Sequence, residues 1–396
     1  MESLQKPLQV QNLAIVDLPP ELIVNILSRL SVKSLCRFRC VSKLWLALIN
    51  HPRFVKMHLA HTQREKLFMS AGDSNFFYSR KASLYSIDLE SISYDVNKVD
   101  AVKIDIAAFI SDLDIAAFEL NHLVKWHTWC IISSSNGLLC FRLGKYFWLY
   151  NPSTRERKQV PDFNFPKHMD SGFGFSYVDS IDDYKLVILH RPGNIVDIYS
   201  LRKNSWTSIQ HDFCIGYGFF RQLGFPLNGA IHWDSYYVDY DLNPDTFDRV
   251  IIAFDLVEEN FKTLQLPEFF GLGQFFGLFK GYLSFFDRNK DTYRFWVMKE
   301  YGVVASWTII LTVNSPCFLR PLCYLKNSNT MMLNRDYGYN QELVFYNPKC
   351  LKFKKIEVNG SREFYVNSHI EYVESLVSLN YENHFRTEDK LLEYWF

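Results

Sequence analysis

Apolar residues near the start of the chain recur at the spacing of amphipathic helices. After Pro20 they fall at intervals of one, three and four residues, which places them on one face of a helix. These positions are Leu22, Ile23, Ile26, Leu27 and Leu30. Ser31 and Ser42 are suited to cap two more helices, over 32–40 and 43–50. We therefore expect three short helices, a unit so small that it needs a partner or neighbour for stability.

After Phe54 the pattern changes to short runs with alternating character, broken by Gly, Asn, Pro and Asp. One type of run recurs every 45 to 52 residues, with its central apolar residue at Leu139, Leu186, Ile231, Leu283, Met332 and Val377. A second type follows each of the first, centred on Tyr150, Tyr199, Phe254, Val297 and Tyr346. Two strands per period of about 47 residues indicate a repeat of small β-sheets.

A radial arrangement lets such sheets bury their faces on one another and protect their edges, which is the β-propeller solution. A weaker copy near Phe68 precedes the run at Leu139 and gives six units in all. The run Leu376–Leu379 would then close the ring by pairing with the first unit. The expected fold class is a small all-α unit of three helices followed by an all-β propeller-like domain of six blades.

Two stretches interrupt the repeat. Most units place 11 to 14 residues between their two central positions, but Ile231 to Phe254 takes 23, and the excess is acidic and aromatic. This excess is either a solvated loop or a loop that contacts a binding partner, since rings and charges on a rigid scaffold suit recognition. The candidate contact residues are Asp234, Tyr236, Tyr237, Asp239, Tyr240 and Asp241. A short tandem duplication over 105–109 and 114–118 is interpreted as a loop.

Charge separates the two parts of the chain. The 43 basic and 43 acidic residues balance overall, which gives no support to a chain-wide nucleic-acid binder. The first sixty residues nevertheless carry eight basic and three acidic side chains, a net charge of +5. The eight cysteines are scattered without a C-x-x-C pair, so we expect reduced thiols in an intracellular protein of the cytoplasm, the nucleus or both. No apolar run approaches the ~20 residues of a membrane span.

The helical unit contains three motifs in a specific order: Leu18-Pro19-Pro20-Glu21-Leu22-Ile23, Ile26-Leu27-Ser28-Arg29-Leu30 and Val32-Lys33-Ser34-Leu35-Cys36-Arg37-Phe38-Arg39-Cys40-Val41-Ser42-Lys43-Leu44-Trp45. With these motifs it resembles an F-box. One departure is Ser31, where many members have proline. A generic helical hairpin packed on the β domain is the alternative interpretation.

The repeat resembles the F-box-associated, kelch-like domain of plant F-box proteins, and its architecture is similar to that of the S-locus F-box group. The motifs include Ser135-Asn136-Gly137-Leu138-Leu139-Cys140, Tyr150-Asn151-Pro152-Ser153-Thr154-Arg155, Asn228-Gly229-Ala230-Ile231-His232-Trp233 and Tyr372-Val373-Glu374-Ser375-Leu376-Val377. The double glycine of strict kelch repeats is absent. We expect a tail over 1–16, the F-box over 17–60 and the associated domain over 61–396.

The resemblance implies a substrate-recognition subunit of an SCF (Skp-cullin-F-box) ubiquitin ligase. The F-box would dock on a Skp-family adaptor, and the propeller would bind a target protein for ubiquitination. Carried over from the family, the adaptor-binding residues are Leu18, Pro19, Leu27, Leu30, Leu35, Arg37, Val41, Lys43 and Trp45. Leu27 and Trp45 have internal packing as their alternative role, since so small a unit must use some apolar residues for its own core.

Candidate catalytic and metal-binding motifs are weak. His58 and His61 lack a partner at ligand spacing, and His232 next to Trp233 is interpreted as a core residue. There is no G-x-S-x-G elbow and no P-loop. The chain is expected to catalyse nothing, to need no cofactor or metal, and to bind neither nucleic acid nor membrane. A non-degradative scaffold that binds the adaptor, and a carbohydrate-binding or enzymatic propeller, remain the alternative functions.

Overall fold

The computed structural model describes residues 18–62, 65–72, 83–104, 130–143, 146–162, 171–190, 193–215, 223–238, 247–267, 275–326, 328–338, 341–359 and 365–380. These residues form a small helical unit, here called the head, and a ring of six β-sheets, here called the ring. The predicted tandem duplication over 105–118 lies outside the described residues.

The head contains four helices rather than the three that the sequence predicted. They are α1 (Pro20–Leu27), α2 (Val32–Phe38), α3 (Lys43–Asn50) and α4 (Pro52–His61). Both predicted caps are confirmed: the Ser31 hydroxyl accepts a hydrogen bond from the Ser34 amide, and Ser42 accepts one from the Trp45 amide. The fourth helix starts at Pro52, and its histidines and short apolar spacing gave only a weak helical signal.

The ring is built from strands that alternate along the chain. The first half comprises β1 (Glu65–Gly72), β2 (Ser83–Asp88), β3 (Lys98–Val99), β4 (Ala101–Ile104), β5 (Cys130–Ser135), β6 (Leu138–Leu143), β7 (Tyr146–Tyr150), β8 (Arg157–Gln159), β9 (Gly172–Val178), β10 (Asp183–Leu189), β11 (Gly193–Ser200) and β12 (Ser205–Ile215). Single-turn 3₁₀ helices lie at Leu89–Ser91, Asp179–Ile181 and Val304–Ser306.

The second half comprises β13 (Phe225–Leu227), β14 (Ala230–Val238), β15 (Phe247–Asp255), β16 (Phe261–Gln265), β17 (Phe275–Phe279), β18 (Tyr282–Asn289), β19 (Thr292–Met298), β20 (Trp307–Asn314), β21 (Phe318–Leu325), β22 (Thr330–Asp336), β23 (Gln341–Asn347), β24 (Lys352–Val358) and β25 (Tyr365–Val373).

Each blade is a sheet of four antiparallel strands, and the six blades confirm the predicted count. The first blade has the order β25-β1-β2-β4, and the following blades are β5–β8, β9–β12, β13–β16, β17–β20 and β21–β24. The central residues of the two predicted run types, such as Leu139 and Tyr150, lie in the second and third strands of their blades. Clusters of buried side chains fill the spaces between neighbouring blades.

The ring is closed by β25, not by the run Leu376–Leu379 that the sequence predicted. β25 pairs with β1 along eight residues, from Glu65 opposite Val373 to Gly72 opposite Tyr365. The run after β25 is extended chain without a strand partner, and its apolar side chains pack elsewhere. A second link joins the first and last blades, because β3 pairs in parallel with β24.

The blade turns lie alternately at two ends of the ring. The head contacts the end that carries the β5–β6 and β9–β10 turns, where Lys56 of α4 lies 2.8 Å from Asp182. The second-to-third-strand hairpins, including β14–β15, point to the other end. A strand of five to nine residues spans roughly 17–30 Å, so the two ends are separated by about that distance.

Candidate functional site

The first helix presents apolar side chains on two sides. Val24 and Leu27 are buried, whereas Leu22 and Ile26, one turn apart, are each 51% exposed. Leu18 and Pro19, just before the helix, are also exposed. A helix that needed only one buried stripe would not carry this many apolar residues, so the second side is available to a partner.

The turn between α2 and α3 continues this exposure. Val41 is 63% exposed, the highest value of any large apolar residue in the head, and Leu46 of α3 is 42% exposed. Trp45 is half-buried and packs edge-to-face on Phe38, with ring centroids 5.3 Å apart. We call the six exposed residues the apolar set: Leu18, Pro19, Leu22, Ile26, Val41 and Leu46.

The predicted adaptor-binding residues divide into three groups in the structure. Leu18, Pro19 and Val41 are exposed, as are Arg37 and Lys43, while Leu30 and Trp45 are half-buried against the core. Leu27 and Leu35 are 3% and 0% exposed, inside the head core. A partner could reach these two only if the helices separated, so we assign them to internal packing.

Three members of the apolar set, Leu22, Ile26 and Leu46, were missed by the sequence reasoning. The helical spacing of α1 placed Leu22 and Ile26 with Leu27 on one face, and of these only Leu27 was among the predicted adaptor-binding residues. The signal available was the width of the apolar stripe, which exceeds what one neighbour can cover.

The predicted target-binding loop is largely a long hairpin. Asp234 lies in β14 and is 3% exposed, where it forms a two-bond ion pair with Arg249 of β15 at 2.6 and 2.9 Å. It therefore stabilises the hairpin and is not available to a target. Tyr236 and Tyr237 belong to β14, and residues 239–241 lie outside the described residues. The hairpin points to the end of the ring that faces away from the head.

One polar cluster in the described part of the chain has the composition of a catalytic triad but not its connections. His190, Asp197 and Ser208 are neighbours, but both His190 and the Ser208 hydroxyl bond to the Asp197 carboxylate, so the histidine does not activate the serine. Within the same ranges no group of three or more His, Cys, Asp or Glu side chains could hold a metal ion. No described helix has the length and apolar character to cross a membrane.

Two open recesses lie on the ring. One of about 230 Å³ lies at the head-side end between Asn228, Tyr282 and Tyr301. The other, about 210 Å³, lies at the opposite end and is lined by Phe275, Arg320 and Asn334. At the first recess the Tyr301 hydroxyl bonds to the buried His232 at 2.7 Å. We take the apolar set on the head as the site with the clearest functional geometry.

Comparison with known proteins gives two family matches. Residues 15–57 match the F-box domain, and residues 110–381 match the F-box associated beta propeller domain. An F-box/kelch-repeat protein of Arabidopsis thaliana is 27% identical over 388 residues, which cover 92% of this chain and 96% of the relative. F-box protein CPR1 of Arabidopsis thaliana is 26% identical over 391 residues, covering 88% and 86%.

A solved structure, TolB from Acinetobacter baumannii, superimposes with a TM-score of 0.48 and 9% identity over 81% of this chain and 70% of that one. Nothing about function follows from a likeness at that level.

Proposed function

The chain belongs to the F-box-associated beta-propeller family and carries an F-box, and from that membership we propose that it is the substrate-recognition subunit of an SCF ubiquitin ligase. The F-box docks on a Skp-family adaptor, and the propeller binds a target protein. Catalysis belongs to other subunits. The cytoplasmic or nuclear location and the domain division at residues 16 and 60 stay predictions.

The apolar set is the observation that carries this proposal. Five large apolar side chains, each 42–63% exposed, lie together with Pro19 on one small four-helix head. Exposed apolar residues concentrated in this way mark interaction sites on proteins. Full burial of each such side chain against an adaptor would contribute roughly 1.5–3 kcal/mol.

Charge supports the same partner. Arg37 and Lys43 are exposed beside the helices, and the first sixty residues carry a net charge of +5. An acidic adaptor surface would be attracted to this head, which raises the association rate more than it raises the affinity.

The mechanism is tethering. The head binds the ligase while the ring binds the target, so the encounter between a target lysine and the charged conjugating enzyme becomes intramolecular. The effective concentration of the lysine is then on the order of millimolar. The far end of the ring, which carries the β14–β15 hairpin, is the proposed target surface, since it faces away from the adaptor.

The adaptor half is tested by the double substitution Leu18→Ala and Pro19→Ala. We expect it to abolish adaptor co-purification, with a loss of affinity on the order of a hundredfold, because roughly 3 kcal/mol of apolar contact is removed. The matched control is Val257→Ala with Leu278→Ala, two exposed apolar positions on the ring. Undiminished co-purification by the first pair, with both proteins folded by circular dichroism, would refute adaptor docking.

The target half is tested by affinity purification under proteasome inhibition, followed by mass spectrometry. A true target accumulates when the proteasome is blocked. The Leu18→Ala, Pro19→Ala protein should still bind this target through the ring, but the target should no longer be recruited to the ligase. A captured partner whose abundance does not respond to the block would indicate a non-degradative scaffold instead.

A further inference from the structure

Residues 374–380, which follow the closing strand β25, lie between the head and the ring and contact both. We call them the bridging segment. It has no strand or helix of its own, yet Ser375 is 0% and Leu376 is 2% exposed. A segment of irregular backbone this deeply buried must have its polar groups satisfied by neighbours.

Toward the head, the segment completes the apolar core. Leu376 packs in the same cluster as Leu27, Leu35 and Phe54, and Val377 packs against its edge. Among the described residues, Leu376 is the one buried member of that cluster that comes from outside the four helices. The head core is therefore incomplete without a residue from the far end of the chain.

Toward the ring, the segment is held by the turn after β7 of the second blade. The Asn151 side-chain amide donates to the backbone carbonyls of Ser375 and Val377, at 3.0 and 2.8 Å. Its carbonyl oxygen meanwhile accepts from the amides of Ser153 and Thr154, which fixes the turn. Asn151 is fully buried, so these bonds are shielded from water.

A second anchor lies at the other end of the same β7–β8 turn. The Glu156 carboxylate accepts hydrogen bonds from the Ser378 hydroxyl at 2.8 Å and the Leu379 amide at 2.9 Å. Leu379 is 1% exposed and packs with the apolar residues between the second and third blades. The segment thus joins the head core to the core of the ring within four residues, Leu376 to Leu379.

Its path also requires a glycine. Gly137, in the β5–β6 turn, has a φ of +82°, and a Cβ added there would lie 2.1 Å from the Ser375 Cβ. At the start of the segment Glu374 pairs with Lys66 of β1 at 2.5 Å, with both side chains largely buried.

Two further links between head and ring that involve described residues are weaker. The ion pair between Lys56 and Asp182 joins side chains that are about half exposed, and such pairs contribute little. The covalent connection from His61 of α4 to Glu65 of β1 is only three residues and restrains distance more than rotation.

We propose that the bridging segment, held by Asn151 and Glu156, fixes the orientation of the head relative to the ring. These are positioning residues, and the inference rests on the proposed function: a fixed orientation presents a bound target to the ligase from one direction. It therefore restricts which target lysines come within reach of the conjugating enzyme.

The test is Asn151→Asp in the full chain. Aspartate keeps the oxygen that fixes the turn but cannot donate to Ser375 and Val377. The matched control is Asn347→Asp, since Asn347 occupies the same Tyr-Asn-Pro motif in the last blade and caps its turn through the Lys349 amide, away from the segment.

Head-to-ring geometry is measured as the spin–spin distance between labelled noncanonical residues at Asn50 and Val257, both exposed. We expect a narrow distribution for the parent and for Asn347→Asp, and one at least twofold broader for Asn151→Asp. The amides of residues 375–380 should exchange with deuterium at least tenfold faster in Asn151→Asp alone. If Asn151→Asp does not fold, Glu156→Ala, which removes the acceptor of the Ser378 and Leu379 bonds, is measured with the same labels.

Adaptor co-purification separates this inference from the proposed function. Asn151→Asp should retain the adaptor and the target yet spread ubiquitin over more target lysines. If the parent protein did not bind the adaptor, the proposed function would be refuted, but the positioning role of the bridging segment would not. An unchanged distance distribution and unchanged exchange in a folded variant would overturn the positioning role.

Discussion

His232 lies fully buried in β14, where its ring is held in one neutral form. The Phe225 carbonyl, 3.2 Å from Nδ1, can only accept, so Nδ1 donates and Nε2 accepts from the Tyr301 hydroxyl at 2.7 Å. Burial lowers the pKa of His232 to about 4, although the bond to Phe225 opposes the shift. The sequence interpretation of this histidine as a core residue is confirmed.

This histidine makes stability depend on pH in a known direction. The unfolded chain binds the proton near pH 6.5 and the folded chain only near pH 4, so stability is intact above 6.5 and falls as the pH decreases toward 4. The loss over that window should be about 3 kcal/mol. His232→Gln should flatten this part of a urea-unfolding pH series, whereas His61→Gln, at an exposed site, should not. An unchanged slope in His232→Gln would contradict the assignment.

At the scale of single residues, the apolar pattern of the sequence predicted the helices of the head better than it predicted which of their residues are exposed. The helical spacing identified the apolar residues of the head, but it could not separate Leu27, which is buried, from Ile26, which is exposed. Adjacent residues on a helix differ by 100° in direction, and only the position of the neighbouring elements decides which direction is inward. Leu376 shows the same limit, because its partners in the head are more than 300 positions away in sequence.

At the level of elements, buried ion pairs join the hairpins at the ring end opposite the head. Arg294 donates to both oxygens of Asp287, at 3.0 and 2.6 Å, and the two residues lie directly opposite in β18 and β19. Asp234 and Arg249 make a similar pair in the preceding blade. The long stretch after Ile231 was interpreted as a loop because its acidic and aromatic excess broke the repeat spacing. In the structure the Arg249 partner allows Asp234 to lie buried within β14.

The pair in the fifth blade should be strongly coupled. Asp287 is 1% exposed and Arg294 is 26% exposed, so Asp287→Asn leaves a partly buried guanidinium without its counter-charge and should cost about 1.5–3 kcal/mol. Adding Arg294→Gln should recover part of that loss, giving a coupling energy of roughly 1–3 kcal/mol in a double-mutant cycle. Denaturant midpoints at constant m-value measure it. Additive single and double effects would show that the pair is not coupled.

The repeat was visible in the sequence because of the two middle strands of each blade. These strands are covered on both faces by neighbouring blades, and β10 is buried at every position, so they appear as continuous apolar runs. The outer strands face solvent on one side, as in β20, where Ile309 and Ile310 are both 41% exposed. Mixed patterns of that kind gave no recognisable run, and for the same reason the closing strand β25 was missed.

For the whole molecule, β25 ties the end of the chain to its first blade. Tyr372 is 5% exposed, packs edge-to-face on Phe68 with centroids 6.1 Å apart, and bonds to the Ser86 hydroxyl at 2.9 Å. Opening this contact exposes the paired edges of β25 and β1 within the first blade and, through the bridging segment, the core of the head. Head and ring are therefore expected to unfold together.

Tyr372→Ala tests this cooperativity. We expect a loss of about 3–5 kcal/mol and a single thermal transition in which tryptophan fluorescence and far-ultraviolet circular dichroism coincide. The control Tyr282→Ala, at a site 44% exposed, should change stability by less than about 0.5 kcal/mol. Two separated transitions in Tyr372→Ala would show that the head folds independently of the ring.

The completion of the head core by Leu376 has a consequence for biosynthesis. The four helices leave the ribosome first, but the residue that fills their core is made roughly 320 residues later, or about 15–65 s at roughly 5–20 residues per second. During that interval the nascent head exposes an unfilled apolar cavity, to which chaperones can bind. A product truncated before the closing strand would keep that defect. Degradation of such incomplete chains would prevent non-functional receptors from occupying the adaptor.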